Sequence, residues 1–454
     1  MNAMTIVSAA RDLRTPDKLI ACLAAIALTA ASAAAVAFHV ASMSDDAART
    51  IAQYAEPSVA LGLRMAAGLA QIESDALGDS LTDDGRAAGA SATFRTGLAT
   101  LRSEAIEAAR NITYGENEAA PLRDLDRGLQ LYLEAIVGAR GTPEGNAWLL
   151  ARRLKWASRV MREMTIPHAF GLARADDDEL ERVYGEYRSA AVLEIAGVAA
   201  SYLLGIAALV GAQVWLTAKT RRLLNPLLVV ATVLVAGGGV GIVAMELSQR
   251  ADLGSAKTDA YDSLHALFEA EARVYALRGD VSLWLLDPDD REGARRAIER
   301  DLAALVGADI ARDAVAGPAL KAPPARAAIG GLLGEEMKNV TFPGEREAAS
   351  ASVAELARFA RVAGAVQGDE IRCDHARAVD LWVTDARPGG GRESLAGVVK
   401  ALDATINVNQ TEFDDHANAA LATGARAPWM IAPPLALAMA LAVGGIWPRL
   451  REYR

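Results

Sequence analysis

The sequence predicts an all-α integral membrane protein with four transmembrane helices and two large helical bundles outside the membrane. Three observations lead to this fold class. Four apolar runs each approach the roughly 20 residues that a helix needs to cross ~30 Å of hydrocarbon. Basic residues flank these runs at alternate ends, which orients a chain in a membrane. The two long segments between the runs repeat apolar residues at helical spacing, and strand-like β-branched runs are nearly absent from them.

The two central runs and the turn between them define the predicted topology. The four predicted spans are residues 19–40, 191–216, 227–247 and 429–447. Residues 217–226 join the second span to the third and contain Lys219, Arg221 and Arg222 but no acidic residue. Positive charge beside a span resists translocation, so this turn is expected in the cytoplasm.

Both ends of the chain carry the same signal. Residues 1–18 precede the first span and residues 448–454 follow the fourth, and both pieces are short and basic. We therefore predict a multi-pass plasma-membrane protein with cytoplasmic N and C termini. The large segments, residues 41–190 and 248–428, then lie outside. The chain consists of two copies of one plan (span, segment, span) without a residue-by-residue repeat.

The first apolar run admits a second interpretation, a cleaved signal peptide. Its Ala-rich end, residues 31–37, offers small residues for a cleavage site. Against cleavage, residues 19–40 form a longer apolar run than the roughly 7–15 residues of a usual signal-peptide core. The match to the plan of the second half also favours retention as a transmembrane helix.

Residues 41–190 show the apolar spacing of helices packed in a bundle. Four stripes have apolar residues three and four positions apart: Leu61, Met65, Leu69 and Ile72; Phe94, Leu98, Leu101 and Ala105; Leu122, Leu125, Leu129, Tyr132 and Ile136; and Leu150, Leu154, Ala157, Met161 and Met164. Turn signals separate the stripes. A four-helix bundle is predicted, with its outer two helices continuing into the spans.

Residues 248–428 repeat this pattern with more interruptions. The stripes are Leu264, Phe268, Ala272 and Tyr275; Val353, Leu356 and Ala360; and Leu402, Ile406, Asn409 and Phe413. Pro- and Gly-rich breaks separate them, and residues 318–343 are the least regular part. A second helical bundle is expected here.

Charge and cysteine content exclude several classes of protein. The net charge of −10 is carried by the outside segments, which argues against nucleic-acid binding. Of the two cysteines, Cys22 lies in the first predicted span and Cys373 outside the membrane, so they cannot form a disulfide. The outside segments are therefore expected to rest on their own apolar cores.

The sequence contains no nucleotide-binding, zinc-protease or esterase motif. We therefore expect no enzymatic activity, no cofactor and no metal. Cys373-Asp-His375 and Asp414-Asp-His416 each bring potential metal ligands together, but adjacent residues of a helix point in different directions. Glu194 is an acid within an apolar run, a feature that is often functional. Its place near the outer end of the span also lets it reach the lipid headgroups.

Two features of the spans admit two interpretations each. Residues 237–239 and Gly241 are glycines in the third span, which indicate either tight helix packing or a moving joint. Pro433 and Pro434 lie in the fourth span, where they either kink the helix or end it.

The predicted functional site is a basic cytoplasmic surface. It consists of Lys219, Arg221, Arg222, Arg449 and Arg451. Apart from the N-terminal tail, the chain offers little else on that side, so this surface is expected to dock an inside partner. The alternative is that these residues only orient the spans and contact anionic lipids.

Helical modules flanked by two spans resemble the sensor modules of chemoreceptors and histidine kinases. Here the module occurs twice, with the turn Lys219-Thr-Arg-Arg222 and the closing stretch Pro448-Arg-Leu-Arg-Glu-Tyr-Arg454. This combination resembles the GlnX type of actinobacterial four-span membrane protein, found beside a glutamine-type solute-binding lipoprotein and the soluble kinase PknG. The resemblance implies an outside partner, the lipoprotein loaded with an acidic amino acid or amide. It also implies an inside partner, a Ser/Thr kinase, but no binding residue.

The expected function is that of a signalling adaptor for amino-acid sensing. It relays the state of an extracytoplasmic solute-binding protein to a cytoplasmic Ser/Thr kinase. One alternative is a permease-like subunit that works with a separate ATPase, although the spans offer few charges for a polar pathway. Another is a membrane-bound enzyme. A homodimer in the lipid bilayer is compatible with each of them.

Overall fold

The computed structural model describes residues 15–82, 91–112, 115–143, 145–220, 224–321, 329–384 and 389–452. Within these ranges the regular elements are helices, and no strand occurs. The predicted all-α fold class is therefore confirmed.

The helices of the first half are α1 Thr15–Arg49, α2 Glu56–Asp79, α3 Ala92–Arg110, α4 Glu116–Arg140, α5 Ala147–Arg159 and α6 Ile166–Thr220. Those of the second half are α7 Pro226–Gly254, α8 Asp262–Leu286, α9 Arg291–Val306, α10 Ala308–Val315, α11 Gly331–Lys338, α12 Glu345–Ile371, α13 His375–Val383 and α14 Gly391–Glu452. Wider π-helical turns join α1 to α2, α5 to α6 and α7 to α8. They are Thr50–Ala55, Val160–Thr165 and Ser255–Tyr261.

Polar side chains begin several of these helices. Ser91, Asn146, Asp290 and Asp374 accept hydrogen bonds from backbone amides in the first turns of α3, α5, α9 and α13. Such N-caps satisfy amide groups that have no partner within the helix. Asp374, one of the three potential metal ligands noted above, therefore has a structural role.

Within the described ranges, four helices are long and apolar enough to cross a membrane. They are Thr15–Asp79, Ala147–Lys219, Pro226–Leu286 and Gly391–Glu452. Each includes one of the predicted spans, so the chain is a multi-pass membrane protein. Because α14 continues through Pro433 and Pro434, the interpretation that these prolines end the helix is wrong.

The chain forms two compact units, and each takes residues from both halves. The membrane unit comprises Met1–Ala52, Glu181–Gly254 and His416–Arg454. The polar unit comprises Gln53–Leu180 and Ser255–Asp415. The sequence predicted two separate bundles at 41–190 and 248–428, whereas the structure has one polar unit that contains helices of both segments.

The packing of α2 against α8 explains why the two segments merge. These helices lie along each other, and nearly every residue of α2 is buried. A helix of an isolated bundle buries one stripe, but α2 carries small residues on its other faces, which let neighbouring backbones approach. A Cβ added at Gly62 would lie 2.9 Å from the backbone nitrogen of Ala173 in α6. The predicted stripes consist of the larger side chains, so they do not indicate these additional buried faces.

The core of the first segment agrees with the predicted stripes except at one position. All four stripes contribute to a single buried cluster, which includes Leu69, Phe94, Leu129 and Leu154. Met164, expected at the end of the fourth stripe, is exposed, and Thr165 is buried instead. The π-helical turn Val160–Thr165 causes this difference because its wider turn moves the inward-facing position by one residue.

The membrane unit has an apolar core supplied by all four spans. It includes Ala33, Val198, Val235 and Ile431. A Cβ added at Gly239 would lie 2.9 Å from the ring of Tyr202, whereas Gly237 has open space around it. This close approach favours tight packing over a moving joint at Gly239.

Candidate functional site

The predicted cytoplasmic residues fall at the ends of two helices in the membrane unit. Lys219 is exposed near the end of α6, and Arg451 is exposed in the last turn of α14. Arg449 donates hydrogen bonds from Nη1 to both carboxylate oxygens of Glu452, at 2.9 and 2.8 Å. The other two predicted residues, at positions 221 and 222, lie outside the described residues.

Asn225 connects the turn between the second and third spans to the end of the fourth. Its Nδ2 donates to the carbonyl oxygen of Gly445 at 2.8 Å, and its Oδ1 accepts from the amide of Leu227 at 3.1 Å. A cleft of about 350 Å³ lies beside this contact, lined in part by Pro448 and Arg449. The structure therefore brings Arg449 next to the turn that follows the second span.

Glu194, the acid in the second span, has a partner within the membrane unit. Its carboxylate pairs with the guanidinium of Arg250. Arg250 also donates to the carbonyl oxygen of Tyr187 at 2.9 Å and lies 4.3 Å from the centre of the Tyr187 ring. This ion pair gives Glu194 a structural role within the membrane unit.

The polar unit contains an ionic network that the sequence analysis did not identify. Arg162 donates from Nε to Glu73 at 2.7 Å and also pairs with Asp280. Arg278, only 2% exposed, lies 2.9 Å from the carboxylate of Asp75. Each guanidinium therefore joins one segment of the chain to the other, because α2 and Val160–Thr165 belong to the first segment and α8 to the second.

Asp280 and Asp301 form a carboxyl pair within this network. They are 1% and 2% exposed. Burial raises the pKa of Asp280 to about 8; the charge of Arg162 opposes the shift, and the neighbouring Asp301 carboxylate adds to it. Arg273 pairs with Asp301 at 3.2 Å and with Glu269 at 3.2 Å. At neutral pH the Asp280 carboxyl is therefore largely protonated.

A cleft of about 580 Å³ opens onto this carboxyl pair. It lies between α2, α5, α6, α8 and α9 of the polar unit. Asp280 and Asp301 form its buried floor, and Arg159, Arg174 and Arg300 are exposed at its rim. Lys155, another lining residue, pairs with Asp290 and lies 3.9 Å from Asp287. The volume is in the range of small-molecule sites.

The sequence contained one signal for this site. Arg278 and Asp280 interrupt an otherwise apolar stretch of α8, and Glu73 and Asp75 stand among apolar residues of α2. Charged residues are almost never fully buried unless they are paired. A charge on the apolar face of a predicted helix therefore indicates a partner elsewhere, although the sequence does not say which residue it is.

The exposed face of α5 combines aromatic and basic side chains. Trp148 is 61% exposed and Trp156 is 54% exposed. The guanidinium of Arg152 lies 5.3 Å from the centre of the Trp148 ring. At 100° per residue, Trp148, Arg152, Trp156 and Arg159 fall within about one quarter of the helix circumference. Exposed tryptophans beside arginines are typical of protein-binding surfaces.

No protein-family model matches the chain, and no match was found among curated proteins or solved structures. The case for a function therefore rests on the residues described above.

Proposed function

We propose that the protein is a transmembrane signalling adaptor. It relays the state of an extracytoplasmic solute-binding lipoprotein to a cytoplasmic Ser/Thr kinase and so takes part in amino-acid sensing. The observation that carries this proposal is the continuity of the four long helices. Each contains both an apolar span and residues of the polar unit, and none is interrupted by a loop.

Continuous helices are suited to transmit a displacement. Packed helices commonly switch by shifts of ~1–2 Å. An outside partner that prefers one arrangement of the polar unit shifts the population toward it, since only a difference in affinity moves an equilibrium. The basic turn and tail are expected in the cytoplasm, which assigns the polar unit to the outside.

The exposed face of α5 is the surface we propose for the lipoprotein. Trp148 and Trp156 offer apolar area at little cost in conformational entropy, and Arg152 and Arg159 add positive charge. We propose that the partner's contacting face is acidic and partly apolar. Charge complementarity of this kind accelerates association and selects the partner.

The inside partner is proposed to read the basic cytoplasmic surface. Arg449 lies beside Asn225, which follows the second span and is hydrogen-bonded to α14. A small movement of α14 against the second span would therefore change the basic cytoplasmic surface at this point. This proposal agrees with the resemblance to the GlnX type of membrane protein, in which a soluble kinase is the implied partner.

The membrane unit supports a permease-like role less well than it supports a signalling role. Most of the core between the spans is apolar, with Ser201, Gln213 and Glu246 among its buried polar residues. A cavity lined by Ile26, Leu209 and Val235 measures only about 10 Å³. Such a volume holds at most one water molecule. A solute pathway instead requires polar groups near the middle of the bilayer.

The test of this proposal compares solute-dependent phosphorylation of the kinase's targets in cells with and without the protein. We expect the response to disappear without the protein and to fall strongly in the double variant Trp148→Ala and Trp156→Ala. Ile106→Ala is the matched control, since Ile106 is also exposed in the polar unit. A response that persists without the protein overturns the relay, and loss of ATP-dependent solute uptake identifies a permease subunit instead.

The cytoplasmic surface is tested separately. Lysine at positions 221, 222, 449 and 451 keeps the charge that orients the spans but loses the bidentate geometry of arginine. If docking depends on the arginines, this variant inserts normally and the kinase response falls. An intact response shows that these arginines only orient the spans.

A further inference from the structure

The cleft of the polar unit has an excess of negative charge at its floor. Arg162 and Arg273 are the guanidiniums that pair with the floor carboxylates. They also pair with Glu73 and Glu269, which do not line the cleft, so two guanidiniums are shared among four carboxyl groups. Asp280 and Asp301 each have one buried carboxylate oxygen, Oδ2, with no hydrogen-bond partner in the described part of the chain. The proton on Asp280 offsets only part of this excess, so the floor can accept a positively charged group.

The rim of the same cleft has the opposite sign. Arg159, Arg174 and Arg300 line it, and none of them forms a hydrogen bond or ion pair within the part of the chain that the structure describes. Glu163 is the acidic rim residue that likewise has no ion pair there. Lys155, Asp287 and Asp290 also line the cleft, so four basic side chains against three acidic ones leave the rim positive. Guanidiniums bind carboxylates with paired hydrogen bonds.

The walls between floor and rim are largely apolar. They include Ala70, Phe170, Ala272, Ala276 and Leu283. Small-molecule sites typically combine apolar walls with a few polar groups that fix the orientation of the ligand. This arrangement therefore favours a ligand with a positive group at one end, a negative group at the other and a short apolar chain between them.

We propose that this cleft binds a small zwitterion, with its ammonium group at Asp280 and Asp301 and its carboxylate at Arg159, Arg174 and Arg300. The ammonium displaces the proton of Asp280 to solvent and donates to the two Oδ2 atoms. The bound ligand connects both segments of the chain, because Arg159 and Arg174 belong to the first and the acids to the second. This direct binding goes beyond the proposed relay, which requires only a partner protein.

The test uses purified full-length protein in lipid nanodiscs and isothermal titration calorimetry. The probes are 6-aminohexanoate and two analogues that each lack one charge, hexylamine and hexanoate. Glycine and 4-aminobutyrate vary the distance between the charges. We expect one ω-amino acid to bind at a single site, and its one-charge analogue to bind at least about tenfold more weakly, which corresponds to 1.4 kcal/mol. If no ω-amino acid binds at millimolar concentration, or if the one-charge analogues bind equally well, the proposal is wrong.

Variants identify the cleft as the site. Arg174→Gln with Arg300→Gln removes two exposed groups that have no partner among the described residues, so folding is unaffected. We expect this variant to weaken binding of the ω-amino acid by about tenfold or more and to leave the affinity for hexylamine unchanged. Arg102→Gln is the matched control, since Arg102 is exposed on α3 and does not line the cleft. An equal effect of the control and the rim variant would place the binding elsewhere and overturn the assignment.

The floor is tested with Asp301→Asn, which removes one negative charge at nearly constant volume. We expect weaker binding of both the ω-amino acid and hexylamine. If this variant does not fold, the comparison of hexylamine with hexanoate in the rim variant still tests the floor, because only hexylamine carries the group that the floor binds. Failure of the signalling test leaves these binding results unaffected, so the two proposals are separable.

Discussion

The guanidinium of Arg278 and the carboxylate of Asp75 lie 2.9 Å apart in the interior of the polar unit. Arg278 comes from α8 and Asp75 from α2, so this pair joins two segments separated by about half the sequence. A Cβ added at Gly78 would lie 3.0 Å from Nη2 of Arg278, which shows how closely the guanidinium is enclosed. Loss of one partner leaves a buried charge without compensation.

The first prediction concerns this pair. Arg278→Met should destabilise the polar unit by about 3–5 kcal/mol, because Asp75 then remains buried and unpaired. The double variant Arg278→Met and Asp75→Leu should recover most of that loss, since neither charge of this pair is then left without its partner. Thermal unfolding in detergent, followed by circular dichroism, measures both. Arg312→Ala, which removes an exposed ion pair, is the control, and an equal effect of the two single variants would contradict the prediction.

The second prediction is a decrease in stability with rising pH. Burial raises the pKa of Glu56 and Glu336 to about 7 and that of Asp280 to about 8. Unfolded carboxyl groups titrate near ~4, so between pH 4 and these values the folded protein binds more protons. Its stability is highest below that window and falls as pH rises through 7 and 8. The melting temperature, measured from pH 5 to 9, should decrease.

A substitution isolates one of these groups. Glu336→Gln imitates the protonated carboxyl and should reduce the slope of stability against pH by about one proton. Glu347→Gln, at an exposed position of α12, is the control. A melting temperature that rises across the window, or an identical slope in Glu336→Gln, would rule out the assigned role of these carboxyl groups.

The third prediction distinguishes two glycines of the third span. Gly239→Ala places a methyl group against the ring of Tyr202 and should cost about 1–3 kcal/mol, as overpacking usually does. Gly237→Ala meets no neighbour within 4 Å and should be neutral or slightly stabilising, because alanine favours the helix. Thermal stability of the detergent-solubilised protein measures the difference. Equal melting temperatures would show that the two helices are not packed closely at Gly239.

The fourth prediction concerns topology. Cys373 is exposed, so a Cys22→Ala variant should react with an impermeant thiol reagent on intact cells if the polar unit is outside. A second variant, with Cys22→Ala, Cys373→Ser and Lys219→Cys, should react only after the cells are opened. The reverse pattern of labelling would refute the predicted orientation.

The features predicted from the sequence depend on local patterns, and the missed features depend on distant contacts. Spans such as residues 191–216 and stripes such as that of Leu69 follow from length and periodicity alone. Met164 departs from its stripe because a π-helical turn, which has no clear signature in the sequence, changes the register there. The pairs of Arg162 with Asp280 and of Arg278 with Asp75 join residues more than a hundred positions apart. Periodicity contains no information about such partners.

The mutual burial of α2 and α8 has a consequence for biosynthesis. The first segment leaves the ribosome before α8 has been synthesised, so Glu73 and Asp75 are then without their second-half neighbours. During this interval the apolar faces of α2 remain open to chaperones and proteases, and to aggregation with other nascent chains. Assembly is complete only when the second segment arrives. We therefore expect that neither half folds as an independent module that recombination can transfer to another protein.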